Sequence, residues 1–263
     1  MPKETVRITL IQLTASSHPE NNFKKTCRLL NRAMIDRPEI ICLPETFLYF
    51  GTFTEKNMVE RNSPWIKWFQ EFARKNKVHL ILGSLLLRRS RKQKPTNTTL
   101  VIHRGGRVVH AYHKKYWYIV KRKDFIIDES RHTSKGVRDG IVVLDGIRIG
   151  LGICVDLRYP EYFRRLVRKG AEIIFLPSSF RTKTGSIAWR YLTRARAIEN
   201  QVYFCACNQT GGKGNEARCG ETCIISFDGS VMKRLPVREG TLSVTISLKK
   251  LRAFRKTFPV LNQ

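Results

Sequence analysis

The chain has 263 residues, 42% of them hydrophobic and 27% charged. This composition sets aside the disordered and fibrous classes and allows a substantial core in one large α/β domain or two small ones. Forty-nine Lys and Arg against 21 Asp and Glu leave a net charge of +28, which fits contact with nucleic acid, an acidic surface or anionic substrates. No signal-peptide core is present and no apolar run reaches the roughly 18 residues a membrane span needs, so a cytoplasmic protein without a membrane partner is expected.

Residues 6–13 form a continuous apolar run, a buried strand. Residues 21–35 have helical spacing, with Phe23, Cys27, Leu30 and Met34 on one face. The run 39–44 is the next buried strand, with Glu45 just beyond it. In 65–76, Trp65, Trp68, Phe69 and Phe72 follow the i, i+3, i+4, i+7 pattern of an amphipathic helix. A strand over 78–87 ends in the basic, turn-like stretch 88–96. Residues 98–103 and 107–110 flank Arg104-Gly-Gly106 as a hairpin, and 114–136 reads as a long irregular loop, a kind of segment often tied to function.

Strands at 141–144 and 147–153 flank Asp145-Gly146, a second hairpin signal. The spacing then predicts a helix over 160–169 closed by Gly170, a strand over 172–176, a helix over 188–200 and a strand over 202–207. Residues 223–227 and 231–235 pair across Asp228-Gly-Ser230, and 242–247 is a last strand before a basic tail. Basic residues concentrate at 88–94, 114–123, 164–169 and 252–256. No zinc-finger, RRM, KH or helix-turn-helix pattern accompanies them, so they read as solvated faces.

Seven cysteines, an odd number without a secretory signal, point to reduced thiols. Cys205, Cys207, Cys219 and Cys223 are spaced C-x-C and C-x3-C, a poor match to zinc knuckles. Cys205 and Cys207 read as one face of a strand, and no metal is expected.

The chain also echoes itself. Val6-Arg-Ile-Thr-Leu10 resembles Ile147-Arg-Ile-Gly-Leu151, and Glu39-Ile-Ile-Cys-Leu-Pro44 resembles Glu172-Ile-Ile-Phe-Leu-Pro177. Each pair is separated by one helix, so a strand–helix–strand unit occurs twice, and two such halves can stack sheet on sheet with helices outside. Ligands of α/β sheets bind beyond the carboxyl ends of strands, where this scheme places Glu45 and Cys154.

Cys154 lies where an apolar strand turns into a helix, with Asp156 as an N-cap and Pro160 and Glu161 in the first turn. Free backbone N–H groups at such a corner lower a thiol pKa and hold an oxyanion. A cysteine attacking a carbonyl or nitrile carbon needs a base, an oxyanion partner and an acid for the departing amine. Glu45, Lys114 and Cys154, each at the end of an apolar run, supply all three; the alternative is two surface solubilisers and an inert buried thiol.

Several motifs resemble those of the nitrilase, or carbon–nitrogen hydrolase, superfamily over nearly the whole length. They are Leu43-Pro44-Glu45, Asn97-Thr98, Tyr112-His113-Lys114, the run from Gly150 through Glu161, residues 189–201 and the tail from Leu251 to Val260. The tail resembles the branch of ω-amidases and deaminated-glutathione amidases. The resemblance implies a single domain over 1–263, folded as a four-layer α-β-β-α sandwich with internal pseudo-duplication, usually paired into a homodimer. It implies cofactor-free hydrolysis of a small, carboxylate-bearing amide through a cysteine thioester. Carried over, Cys154 is the nucleophile and Glu45 the base. Lys114 and the Val155 N–H hold the oxyanion, and Glu129 is a second glutamate that positions Lys114 or the substrate. The Tyr-x-Lys frame favours Lys114 over Lys115. Arg158, Phe180 and Thr184 line the pocket, with an Arg158–Glu161 charge pair as the structural alternative for Arg158.

The chain departs from the family pattern at Val155 (usually Tyr), Tyr116 (His), Ala188 (His) and Glu221 (His). All four are expected to border the pocket and to bear on the substrate more than on the reaction. Two readings from other classes remain beside the amidase: a nitrilase-fold protein that binds nucleic acid or an acidic surface, and a catalytically idle scaffold.

Overall fold

The computed structural model describes residues 3–51, 58–88 and 93–262. The basic turn expected at 88–96 lies partly outside them, at 89–92.

The first half contributes β1 (Thr5–Gln12), α1 (Pro19–Ala33), β2 (Ile40–Cys42), α2 (Pro64–Asn76), β3 (His79–Leu87), β4 (Thr96–Ile102) and β5 (Val108–His113). A small antiparallel ribbon follows, β6 (Ile119–Lys121) with β7 (Ile126–Asp128). The second half contributes β8 (Gly140–Leu144), β9 (Ile147–Leu151), α3 (Pro160–Arg168), β10 (Ile173–Ser178), α4 (Thr182–Asn200) and β11 (Tyr203–Asn208). A two-residue ribbon, β12 (Thr210–Gly211) with β13 (Arg218–Cys219), precedes β14 (Cys223–Ile225), β15 (Val231–Arg234), β16 (Gly240–Ser247) and α5 (Leu248–Thr257). No helix among the described residues is long and apolar enough to cross a membrane.

Two six-stranded sheets result, ordered β16-β1-β2-β3-β4-β5 and β15-β14-β11-β10-β9-β8. Reversing the second list aligns β8, β9, β10, β11, β14 and β15 with β16, β1, β2, β3, β4 and β5. Every pairing sense then agrees: antiparallel, parallel, parallel, antiparallel, antiparallel. The duplication visible in two short sequence echoes therefore extends over both whole sheets.

Side-chain alternation along the strands sets the layers. Val6, Ile8 and Leu10 of β1, with Ile40 and Cys42 of β2, share one core with Leu151, Ile173 and Phe175 of the second sheet. Ile11, Ile41, Leu80 and Leu82 point the other way, beneath Leu30 and Ala33 of α1 and Ile66, Phe69 and Ala73 of α2. Tyr162, Phe163 and Leu166 of α3 and Trp189 and Ala197 of α4 cover the second sheet. Each fully buried Leu, Ile or Phe of these layers contributes about 1.5–3 kcal/mol by leaving water. The order is helix, sheet, sheet, helix.

Local signals explain most boundaries. Ser63 accepts from Ile66 N at 3.4 Å and Pro64 opens α2. Gly170, at φ 89°, closes α3. Three expectations need correction. The stretch 114–136 holds the β6–β7 ribbon and a 3-10 turn, Glu129–Arg131, rather than irregular chain throughout. Helix α4 starts at Thr182, so Thr184 sits in its first turn. The basic tail is the helix α5, capped by Ser247 Oγ accepting from Lys250 N at 3.2 Å. On α1 the expected face packs against the core between this helix and the first sheet through Leu30, Phe23 and Met34, while the fully buried residues also include Asn22, Thr26 and Ala33.

Candidate active site

Glu45, Lys114 and Cys154 each follow the carboxyl end of a strand, β2, β5 and β9. Glu45 is placed by a close approach of backbone. Leu43 N donates to Ile81 O of β3 at 3.0 Å, and the Leu43 and Pro44 carbonyl oxygens press on Gly83. A Cβ at 83 would collide with both. Thr46 then turns the chain in the left-handed region at φ 49°, and Gln209 Nε2 donates to the Glu45 carbonyl at 2.7 Å.

Cys154 is also left-handed, at φ 48°, and opens a 3-10 turn, Cys154–Arg158. A non-glycine residue held there costs on the order of 1–3 kcal/mol, which the surroundings must hold in place. Asp156 does so. Its buried carboxylate accepts from Ile153 N at 2.8 Å, Tyr112 OH at 2.7 Å and Tyr116 N at 3.2 Å. Burial raises its pKa to about 6 against these bonds. Asp156 thus ties the turn back to the strand end. It is not the N-cap of α3, which is Tyr159.

Lys114 bridges two carboxylates. Its Nζ donates to Glu45 Oε1 at 2.9 Å and to Glu129 Oε1 and Oε2 at 3.1 and 2.9 Å. Glu129, on the 3-10 turn after β7, is fixed by Tyr118 N donating to Oε2 at 2.8 Å. All four groups are buried, Glu45 and Lys114 at 5% exposure and Glu129 and Cys154 at 7%. Burial disfavours the Lys114 ammonium, but Glu129, Glu45 and Cys154 outweigh it and hold its pKa well above the usual lysine range. Lys115 is engaged elsewhere, its Nζ 2.8 Å from Asp139 Oδ1.

The thiol departs from expectation. A strand-to-helix corner predicts a lowered Cys154 pKa, yet it is pushed well above the ordinary thiol range. Burial is the main cause, reinforced by the Glu45 charge; Lys114 and the Ser179 backbone N–H act the other way and do not prevail. Cys154 is thereby held as a thiol, with the Glu45 charge acting on it.

These groups line one cavity of about 720 Å³, together with Val155, Arg158, Phe180 and Thr184. Arg158 Nη2 donates to the Thr184 carbonyl at 2.9 Å, and its guanidinium lies 5.7 Å from the Phe180 ring centre. Its bonded partner is thus Thr184 of α4 rather than Glu161. Tyr118 OH and Thr184 Oγ1 are 2.8 Å apart. Of the four departures from the family pattern, Val155 lines the cavity; Tyr116, Ala188 and Glu221 do not. Tyr116 stacks on Tyr159 at 3.5 Å, and Glu221 pairs with Arg190.

Sequence reasoning passed over three site residues. Asn97 Nδ2 donates to Glu45 Oε1 at 3.0 Å and to Glu129 Oε1 at 3.2 Å, joining the two glutamates; its signal was the Asn-Thr pair. Asp156 stood inside the recognised motif with another role. Gln209, whose Oε1 also accepts from Ala15 N at 3.1 Å, had no signal in the sequence.

The family model for carbon-nitrogen hydrolases matches residues 7–256. The chain is 31% identical to the deaminated glutathione amidase of Dictyostelium discoideum, over 97% of this chain and 92% of that protein. It is 29% identical to the omega-amidase NIT2 of Mus musculus, over 98% and 95%. The crystal structure of the C. elegans NitFhit protein superposes with a TM-score of 0.91 at 28% identity, covering 100% of this chain and 66% of that one. By these matches the chain belongs to the carbon-nitrogen hydrolase family, as an amidase of non-peptide C–N bonds.

Proposed function

We propose that the protein hydrolyses a small, carboxylate-bearing amide to acid and ammonia through a thioester on Cys154, working as one domain over 1–263. The observation that carries this reading is the placement of Glu45, which lies 2.9 Å from Lys114 Nζ and lines the same cavity as the Cys154 thiol, on which its charge acts. One carboxylate thus holds the cation that receives the new charge and acts on the group whose proton must leave.

Cys154 Sγ attacks the amide carbon as Glu45 takes its proton. The carbonyl oxygen becomes an oxyanion held by Lys114 Nζ and the Val155 N–H. The latter stands at the second position of the 3-10 turn, where a backbone N–H has no partner within the turn. Glu45 passes the proton to the departing amine, the C–N bond breaks and the thioester remains. Glu45 then deprotonates a water that attacks the thioester, and the second oxyanion collapses to release the acid. The sulfur leaves and recovers the proton from Glu45. Glu129 and Asn97 fix Lys114 and Glu45 throughout. Arg158, Phe180 and Thr184 contact the substrate carboxylate and its chain. The names of the similar amidases support the amide as substrate.

The test is ammonia release from a panel of carboxylate-bearing amides by wild type and by Cys154→Ala. Wild type is expected to release ammonia and to carry an acyl adduct on Cys154 by mass spectrometry; undiminished release by the variant would exclude Cys154 as nucleophile. A homodimer is part of the proposal. Ile187, Tyr191 and Ile198 form an exposed apolar stripe along α4, 73%, 70% and 50% exposed. Tyr191→Asp should shift the solution mass from dimer to monomer.

A further inference from the structure

Three arginines line the Cys154 cavity: Arg158, Arg181 and Arg218. The first two each have a hydrogen-bond partner within the chain. Arg158 Nη2 bonds the Thr184 carbonyl, and Arg181 Nη1 bonds the Asn215 carbonyl and Glu216 Oε1. Arg218 differs. It is 4% exposed, and its guanidinium sits 3.3 Å from the centre of the Phe50 ring. Its Nε and Nη2 are buried and have no hydrogen-bond partner among the described residues. Glu216 Oε2 lies 4.0 Å from Nη2, too far to bond, and the other oxygen of that carboxylate is held by Arg181. Burial lowers the Arg218 pKa to about 10, so the group is still cationic at neutral pH.

Nε and Nη2 form the edge by which arginine takes a carboxylate in a bidentate pair. Among the described residues that edge is used in this way three times elsewhere. Arg74 holds Glu71 at 3.0 and 2.6 Å. Arg190 holds Glu221 at 2.8 and 2.6 Å, and Arg252 holds Glu172 at 2.6 and 3.1 Å. At Arg218 the same edge lies in the wall of the substrate cavity and hydrogen-bonds no carboxylate of the described residues, Glu216 standing off as a long ion pair at 4.0 Å. Desolvating a cation without hydrogen bonds is costly, and a ligand oxyanion is what offsets the cost. Arg181, bridged to Arg218 through the backbone, adds a second positive charge beside it.

We propose that Arg218 is an anion receptor of this cavity, binding through its Nε/Nη2 edge a substrate carboxylate remote from the scissile amide. The preferred substrate then bears two carboxylates, one at Arg158 and one at Arg218. The proposal rests on the amidase reading only in naming the bound molecule a substrate; the binding itself needs no chemistry.

Three probes test it. Glutaramate has one carboxylate. N-(carboxymethyl)glutaramate adds a second on the leaving amine, and 3-carboxyglutaramate adds a second on the acyl chain. Wild type should favour one of the two dianionic amides over glutaramate by roughly tenfold or more in kcat/KM, mainly through KM, the effect of one charge-assisted bidentate pair. Arg218→Met should abolish that ratio, and Arg218→Lys should keep part of it. An unchanged ratio in Arg218→Met, or no dianionic preference in wild type, overturns the proposal. Calorimetry on Cys154→Ala with the same amides reads binding alone; adding Arg218→Met should weaken the favoured dianion by about the same factor. Arg218-dependent binding without turnover by wild type would sink the amidase reading and leave the receptor standing. Turnover without Arg218 dependence would do the reverse.

Discussion

Glu129→Gln keeps the side chain's shape and removes its charge. In the native site Lys114 Nζ has three carboxylate contacts, one to Glu45 and two to Glu129. Glutamine can accept one of the latter and turns an NH2 group toward a region where Asn97 Nδ2 and Lys114 are already donors. Loss of one charge-assisted hydrogen bond to a buried ammonium should destabilise the fold by about 1.5–3 kcal/mol. At about 2–4 °C per kcal/mol for a chain of this class, the melting temperature should fall by roughly 3–12 °C. Lys114 would also lose the anchor on one side, and displacement of a positioned group by an ångström costs on the order of 10²-fold in turnover. Calorimetric melts and ammonia release measure the two effects, and kcat should drop more than KM rises. Lys114→Met strands two buried carboxylates, at about 3–5 kcal/mol, so the Lys114→Met/Glu129→Gln double variant should be more stable than Lys114→Met alone. Wild-type melting and turnover in Glu129→Gln, or a double variant less stable than Lys114→Met, would refute the charge-bridge account.

Because burial and Glu45 hold the Cys154 thiol above its ordinary range, its alkylation by iodoacetamide should be slow at pH 7 and accelerate only on the alkaline side. A mass-spectrometric rate already on its plateau at pH 7 would contradict the neutral-thiol ground state. Gly83→Ala should push back the Leu43 and Pro44 carbonyls and Glu45 with them. The expected loss is about 1–3 kcal/mol of stability with a fall in kcat, and an active variant of unchanged stability would count against the close approach. Asp139 reports on acid stability. Burial opposes its ionised form, but hydrogen bonds from Lys115 and Lys169 prevail and lower its pKa from 3.8 to about 2. Its folded pKa is depressed, so its contribution is complete above about pH 4 and disappears as pH falls toward 2. Thermal melts of Asp139→Asn should therefore vary less than those of wild type within that window; parallel curves would refute the assignment.

Most strands were legible because their apolar runs are uninterrupted, and the corner at Cys154 because a strand, a polar turn and Pro160 follow one another. What escaped had physical reasons. Helix α4 begins with Thr182-Lys-Thr-Gly185, three weak helix formers around one lysine and no apolar face, so its pattern emerges only near Ala188. Helix α5 buries only Leu248 and Leu251, too little for a periodic signal amid basic residues. The buried face of α1 contains Asn22, whose Nδ2 bonds the Ser16 and Leu48 carbonyls at 2.8 and 2.9 Å; hydrophobic periodicity cannot register such a residue. The pKa of the thiol was misjudged because its direction is set by burial in the assembled fold, reinforced by Glu45, which arrives from the other half of the chain. Arg218 had no local mark at all: what distinguishes it is a missing partner, which only the folded surroundings reveal.

The matching of the two sheets has one asymmetry. Strand β8 lies next to β9 in sequence, whereas its counterpart beside β1 is β16, from the far end of the chain, with Thr5 opposite Ser247. As the chain leaves the ribosome, the Cys154-bearing sheet can therefore close from a contiguous stretch ending at β15. The sheet that carries Glu45 and Lys114 must wait with β1 as an open edge, a template for wrong pairing. The half that holds Cys154 can thus be complete while Glu45 and Lys114 are still in an unfinished sheet. The two sheets thus differ in when they can be built, and the edge of β1 stays open to wrong partners until β16 pairs with it.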